Sequence, residues 1–420
     1  MIRKSRLVNA LFLLGFPLFG YSSYYGATNG LSKGFIMAAA PFVAIILFHF
    51  IDTLYRRSFE RRLTPVWWLC MAYMATLVWS MFVGLRHGIP GVQMGNVLLS
   101  SLIFLAPFNA AVIVILHNRD EPDFSFGRLL FMGLGLLLLI NVLGYFAGVT
   151  ALGTGDERAI FPYIRGRYTG VHVLAVFCLM LMFQLTKAGR RPVHFLLILI
   201  AYLMCVYFMI QINSRLSFMV FAVLTVLFMT RAIKVVRGLY TISLFTIPLL
   251  LSFSLLVYKV LTTPVFAAIL QRVSKEDVTT FNGRSYIWTA IGDWALHDRT
   301  GLLFGNGYKG HYYLHLLDFV AVLWQEPHAY NLHSHSTFTE VLVGQGILGI
   351  ALLYLLLWKG FKYYRARYLE GGLDAPLFAG FVYLLFIWQL DIFCYGTDIG
   401  HSILFCMLAP LCIAPMVKAR

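Results

Sequence analysis

Residues 328–349 read HAYNLHSHSTFTEVLVGQGILG, and the stretch changes character halfway along. Its first half is polar and carries His328, His333 and His335, while its second half opens an apolar run that continues through IALLYLLLW at 350–358. A run of that length meets the ~20 helical residues needed to cross a hydrocarbon core of ~30 Å. The histidines therefore stand at a membrane boundary.

Working outward, comparable runs recur through the chain, near 8–25, 35–55, 65–85, 93–116, 128–150, 169–186, 193–213, 216–232, 239–262, 337–358, 375–395 and 399–417. The 420 residues are 60% hydrophobic and only 12% charged, about half the charged share of a soluble domain. Mean hydropathy is +0.78. The fold class is an all-α integral membrane protein of about twelve transmembrane helices, a single polytopic domain over 1–420. The alternating pattern of a membrane β-barrel is absent.

The short loops RRSFERR (56–62), KAGRR (187–191), RAIKVVR (231–237) and KGFKYYRAR (359–367) all fall on one side if the N-terminus is inside. That side then holds the greater part of the Lys and Arg, as the positive-inside rule requires, and both termini are placed in the cytoplasm. The net charge of +15 is thus read as topology signal and attraction to anionic lipid, not as a nucleic-acid surface. The first apolar run lacks a small-residue cleavage site and is read as a retained span. Six cysteines lie in or near spans with no CxxC pair, so they read as buried apolar residues.

The polar exceptions gather on the opposite, outer side. The loop at 151–170 carries Arg158, Arg165 and Arg167 where positive charge is scarce. QINSRLS (211–217) is a tight turn that puts Arg215 at the outer boundary. The long loop 263–336 shows apolar positions at helical spacing, Ile287, Ala290, Ile291, Trp294 and Ala295, then the glycine turn LLFGNGYKG (302–310) and a second helical segment at 311–324. It is expected to form a helical cap over the outer mouth, with Arg284 ahead of its first segment. Glu340, Asp391 and Asp398 are acidic residues at or near membrane depth, where such groups face a cavity or a partner.

Clustered arginines with a titratable imidazole define a chemistry. Arginine stays protonated and its fork matches phosphate oxygens, while histidine accepts a proton near neutral pH. Both are used when a sugar is transferred from a lipid diphosphate to a hydroxyl. Fixed cations stabilise the leaving diphosphate, and a base takes the hydroxyl proton. No nucleotide is needed, since the energy is stored in the donor. A metal-dependent route finds less support: no Asp-x-Asp stands in the outer loops, and His333-x-His335 alone lacks the ligands of a zinc site. Neither a Walker loop nor a GxSxG motif is present. A transporter would place its ionisable groups near the midplane, whereas here they gather at one face.

The run HSHSTFTEVLVGQGILG resembles the signature of the O-antigen ligase and polymerase superfamily: His, then Asn, Ser or Gln, then nine residues, then Gly-x-x-Gly. His335-Ser336 and Gly346-Ile347-Leu348-Gly349 fit that register. Counting from His333 fails, because Ile347 falls where the second glycine should stand. Ser336 replaces the commoner Asn. INSRLS around Arg215, NGRSYIW around Arg284 and LLFGNGYKG extend the resemblance. It implies an enzyme of the Gram-negative inner membrane that acts on the periplasmic side, needs no cofactor or metal, and inverts the anomeric centre. The implied donor is undecaprenyl-diphosphate-linked O-antigen, and the implied acceptor is a sugar hydroxyl of lipid A-core. By motif, His335 would be the base and Arg215 and Arg284 the diphosphate ligands. Arg165 and Arg167 are assigned to the donor by charge and side, with His333 in support and Asp391 as an orienting partner. The competing readings in the same superfamily are an O-antigen or exopolysaccharide polymerase, for which Arg272 to Gly283 and Arg299 to Gly310 match an Arg-x10-Gly pattern but in one loop where the pattern has two, and, after it, a protein O-oligosaccharyltransferase. The expected site is a cavity at the outer boundary on which Arg215, Arg284 and His335 converge.

Overall fold

The computed structural model describes residues 3–56, 63–90, 92–151, 158, 160–189, 191–234, 284–370 and 374–414. They form a helical bundle in which the only β feature among the described residues is the isolated bridge Leu63 to Ile413. Helices α1 (Lys4–Asn29), α2 (Leu31–Arg56), α3 (Pro65–Arg86), α4 (Met94–His117), α5 (Phe126–Phe146), α6 (Arg167–Ala188), α7 (Pro192–Ile212) and α8 (Arg215–Met229) follow one another. Beyond residue 283 come α9 (Arg284–His297), α10 (Arg299–Phe304), α11 (Gly310–Tyr313), α12 (Asp318–Leu323), α13 (Thr337–Leu369), α14 (Ala375–Leu390) and α15 (Ile399–Leu408). Eight of the described helices are long and apolar enough to cross a membrane, and α8, α14 and α15 with its extension to Cys412 are shorter apolar helices. The expected ninth span at 239–262, Arg272 and the first part of the long loop lie outside the described residues.

Packing explains why so many glycines and phenylalanines stand in these helices. An added Cβ at Gly15 would meet the Phe42 ring at 2.4 Å, and Phe12 and Phe16 pack edge-on against the same ring at 6.0 and 6.1 Å. Where α1 turns into α2, the approach is to backbone: a Cβ at Gly34 would stand 2.7 Å from the Ser22 carbonyl oxygen. All six cysteines are free and buried.

The two faces of the bundle differ. On the face where α1 begins, Asp52 pairs with Lys4 and with Arg56, and Asn9 and Asn118 exchange amide hydrogen bonds of 3.0 and 2.7 Å. The stretch 359–367, expected as a loop on this face, is instead helical, because α13 runs unbroken from Ile347 to Leu369. Lys362 lies over the Trp358 ring and Arg367 over Tyr363, with Arg367 also paired to Asp374. These contacts let the basic segment continue as helix.

The other face carries residues 284–336. In α9 the expected apolar positions Ile287, Ile291 and Trp294 are buried, and with Leu317, Val320 and Val343 they make a small separate core. The segment 311–324, expected as one helix, is two short helices separated by the turn Leu314–Leu317. His315 has a positive φ of 56° there, which a continuous helix does not allow.

Candidate functional site

The site is assembled on a break in α13. Gly346 has φ 69° and ψ −169°, so the helix opens within its first three turns. At the opening the Val343 carbonyl accepts from Asn306 N–H (2.7 Å) and the Gly344 carbonyl from Gly307 N–H (3.2 Å), while Tyr308 N–H donates to the Ser80 carbonyl of α3 (2.8 Å). The glycine turn is thereby sewn between two helices. Gly346 and Gly349, the two glycines of the motif, differ in role. A Cβ at Gly346 would stand 2.4 Å from the Leu303 carbonyl oxygen, and one at Gly349 would meet the Gln345 side chain at 2.4 Å. Asp298 holds the turn from behind, accepting from Asn306 Nδ2 (2.9 Å), Gly301 N–H (2.8 Å) and Trp294 Nε1 (3.1 Å). The hydrogen bond from Asn306 leads the causes that hold its carboxyl below the usual range.

Above the break, the histidine stretch is fixed by its own backbone. Ser334 N–H donates to Glu340 (2.7 Å), and the Ser334 carbonyl accepts from Trp288 of α9 (3.0 Å). Ser336 caps α13, and Thr337 N–H donates to the Asp391 carbonyl (3.1 Å). Between these anchors His335 is held at φ 54°. For a non-glycine residue this left-handed conformation costs ~1–2 kcal/mol, and such strain persists where surrounding contacts over-determine it. The His335 N–H donates to His333 Nδ1 (3.2 Å) and the two rings lie 4.2 Å apart. With Nδ1 accepting, a neutral His333 carries its proton on Nε2. Burial pushes the His333 imidazole below its ordinary value, which keeps it neutral at pH 7.

Beside His335 lies a buried polar chain that joins four helices. Asp391, at the end of α14, has its Oδ2 3.5 Å from His172 Nε2 and 4.0 Å from the Arg284 guanidinium. Arg284 also donates to the Leu390 carbonyl (2.7 Å). On its other edge His172 Nδ1 meets Tyr383 Oη (2.8 Å) and Ser217 Oγ (3.3 Å), and Ser217 meets Ser214 (2.8 Å). Ser217, His172 and Asp391 have the residue types of a nucleophilic relay, but all three are buried. They form an internal network, not a substrate surface. His172 is missing from the sequence reading. The available signal was a lone histidine within the apolar run GVHVLAVF (170–177).

A cavity of about 530 Å³ opens on the same face, lined by Arg165, Lys309, His311, His333, Glu340 and Asp398 among others. Of the residues proposed from sequence, Arg165 and His333 line it. Arg284, His335 and Asp391 gather at the adjoining network, His335 within electrostatic reach of the Asp391 carboxylate. Arg215 does not join them. It opens α8 as an exposed side chain, linked to the network only through its neighbours Ser214 and Ser217. Arg167 begins α6, and its side chain lies outside the described residues. The convergence expected of Arg215, Arg284 and His335 is thus partial, and the cavity lies to one side of all three.

The arrangement can hold anions with fixed cations and move a proton at an imidazole. No protein-family model matches this chain, and no curated protein matches its sequence.

Proposed function

We propose that the chain is a glycosyltransferase of the O-antigen ligase kind, spanning the Gram-negative inner membrane about twelve times with both termini in the cytoplasm and its site facing the periplasm. The observation that carries this reading is the contact between His335 and His333. One ring adjoins the Arg284–Asp391 pair and the other lines the cation-bearing cavity. An acceptor hydroxyl and a diphosphate leaving group need such adjoining places.

In the proposed reaction, an acceptor hydroxyl of lipid A-core attacks the anomeric carbon of O-antigen carried on undecaprenyl diphosphate. The new C–O bond forms as the bond to the diphosphate oxygen breaks, with inversion. His335 takes the hydroxyl proton, a contribution of about 10²–10⁴-fold for a positioned base. The departing diphosphate is met by Arg284, oriented by Asp391 and the Leu390 carbonyl; Arg215, which does not join that pair, is assigned to the same diphosphate by its motif alone. Stabilisation by such preorganised cations is greatest where charge develops.

The test is reconstitution of the purified protein with lipid-linked O-antigen. Lipopolysaccharide is expected only when lipid A-core is added, and none from His335→Ala. Glycan growing on undecaprenyl diphosphate without lipid A-core would overturn the ligase reading in favour of a polymerase.

A further inference from the structure

The glycine turn at 302–310 lies deeper than a cap over the outer mouth. Exposed Lys359 follows Trp358 toward the basic end of α13, and an interfacial tryptophan beside a lysine marks one edge of the hydrocarbon core. Gly346 stands thirteen residues before Lys359, about 20 Å away along an unbroken helix. The far edge of a ~30 Å core is then about 10 Å beyond Gly346, and any tilt of α13 adds to that depth. Helix α3 agrees. Its Ser80 stands six residues before Arg86, where the helix ends, about 9 Å below that end. The turn is bonded to α13 at Val343 and Gly344 and to α3 at Ser80, so both helices hold it below the membrane surface.

The composition of the turn suits that place. Irregular backbone at membrane depth survives only where protein covers it or where it lines a cavity. Glycine allows the cover: a Cβ at Gly305 would stand 2.4 Å from the Gly344 carbonyl oxygen, and one at Gly307 2.7 Å from the Gly84 nitrogen. The return limb ends at Lys309, which lines the cavity and donates to the Tyr330 carbonyl (2.9 Å). Lys309 and Asp398 both lie within electrostatic reach of Arg165 there, and burial lifts the Asp398 carboxyl to about 7. The entering limb ends differently. Leu303 and Phe304 close α10 at 50% and 62% exposure, and Ile347 and Leu348, next to the Leu303–Gly346 contact on α13, are 43% and 49% exposed. Facing water, such side chains would form an apolar patch of the kind soluble surfaces avoid.

We propose that residues 298–310 form a re-entrant hairpin seated in the leaflet on the histidine-bearing side, with Leu303 and Phe304 against lipid acyl chains. Acyl chains are the occupant because this surface continues the flank that α13 itself turns to lipid at Ile347 and Leu348. Exposed Arg299 and Thr300 stand where the hairpin enters, and Asp298 closes its neck through Asn306 (2.9 Å). The segment thus reaches into the bilayer between α3 and α13 and comes back at the cavity. The inference rests on the membrane-spanning helices and not on glycan transfer.

The test is spin-label accessibility in the full-length protein, reconstituted into vesicles of phosphatidylethanolamine and phosphatidylglycerol. Nitroxides are attached at Phe304→Cys, at Leu348→Cys on α13 and at Asp293→Cys on the exposed polar side of α9. The native cysteines are buried, and wild-type protein treated alongside gives the background. Oxygen concentrates among acyl chains and a nickel chelate stays in water, so the ratio of the two collision rates reads the surroundings of each label. Oxygen should dominate at Phe304→Cys as it does at Leu348→Cys, and the order should reverse at Asp293→Cys. Leu303→Cys gives the same reading at a second exposed position should Phe304→Cys fail to fold. Nickel dominance at both hairpin positions would set the segment in water and overturn the proposal. Poor access to both reagents there would show a covering protein, a second copy or another chain, and would overturn the lipid contact. Nickel dominance at Leu348→Cys as well would overturn the membrane reading of α13 itself. Glycan transfer enters none of these measurements, so its failure and the failure of the hairpin are told apart.

Discussion

His172 Nε2 lies 3.5 Å from Asp391 Oδ2, and both side chains are buried. The contact ties α6 to the end of α14 and, through Ser217, to α8. Removing one partner of a buried polar pair leaves the other unsatisfied, at about 1–3 kcal/mol. His172→Ala should therefore lower thermal stability in detergent by that order. The double variant with Asp391→Asn should lose less than the sum, since the two act on one contact. Additive losses would show that the pair is not coupled.

Arg284 and Arg215 should separate stability from activity. Arg284→Ala removes a donor from the Leu390 carbonyl and a cation from beside Asp391, so unfolding at lower temperature accompanies loss of transfer. Arg215→Ala removes an exposed side chain and should melt with the wild-type protein, within about 0.5 kcal/mol, while transfer from the lipid donor falls. Were Arg215→Ala to transfer normally, its assignment to the diphosphate would be lost.

Asp398 gives a pH dependence with a defined sign. Its carboxyl titrates near 7 in the folded chain and near 3.8 when unfolded. Between these values the folded state holds a proton that the unfolded state has released, so this group's stabilising contribution is full below about 3.8 and is lost as pH rises through about 7. The slope is at most about 1.4 kcal/mol per pH unit. Asp398→Asn should match the wild type near pH 4 and exceed it at pH 8. Parallel loss of stability in both proteins from pH 5 to 8 would refute the assignment.

Gly346→Ala forces a side chain into a left-handed position with the Leu303 carbonyl in its path. A loss of at least ~1 kcal/mol is expected, together with faster proteolysis in the 302–310 turn, which the break secures. Gly305→Ala, whose Cβ would meet Gly344 and Gln345 at 2.4 Å, should expose the same cleavage sites. Cleavage confined to other loops would argue against a shared dock.

Spans are readable from sequence because length and hydropathy alone determine them, and the described helices fall where the apolar runs stand. Gly346 resists such reading. A glycine in an apolar run serves close packing or a backbone turn equally well, and only the approach of Leu303, distant in the chain, decides between them. Lys309 looked like part of a turn and Asp398 like a boundary residue, since the partner that couples them, Arg165, belongs to another loop. His335 was singled out by register, while the hand of its backbone depends on anchors from Trp288, Glu340 and Asp391. The helical continuation at 359–369 went unseen because basic composition marks the side of the membrane and says nothing of backbone conformation.

The opened turn of α13 also bears on biogenesis. Until Asn306 and Gly307 arrive, the Val343 and Gly344 carbonyls lack the partners that satisfy them, and a bare backbone group in lipid costs several kcal/mol. Tyr308 must at the same time reach Ser80, which the ribosome delivers much earlier. A nascent chain with all its helices inserted is thus still unfinished, and the docking of the 302–310 turn onto an early and a late helix is the step that closes it. Variants of the turn should accumulate as inserted but immature protein, a quality-control phenotype instead of a catalytic one.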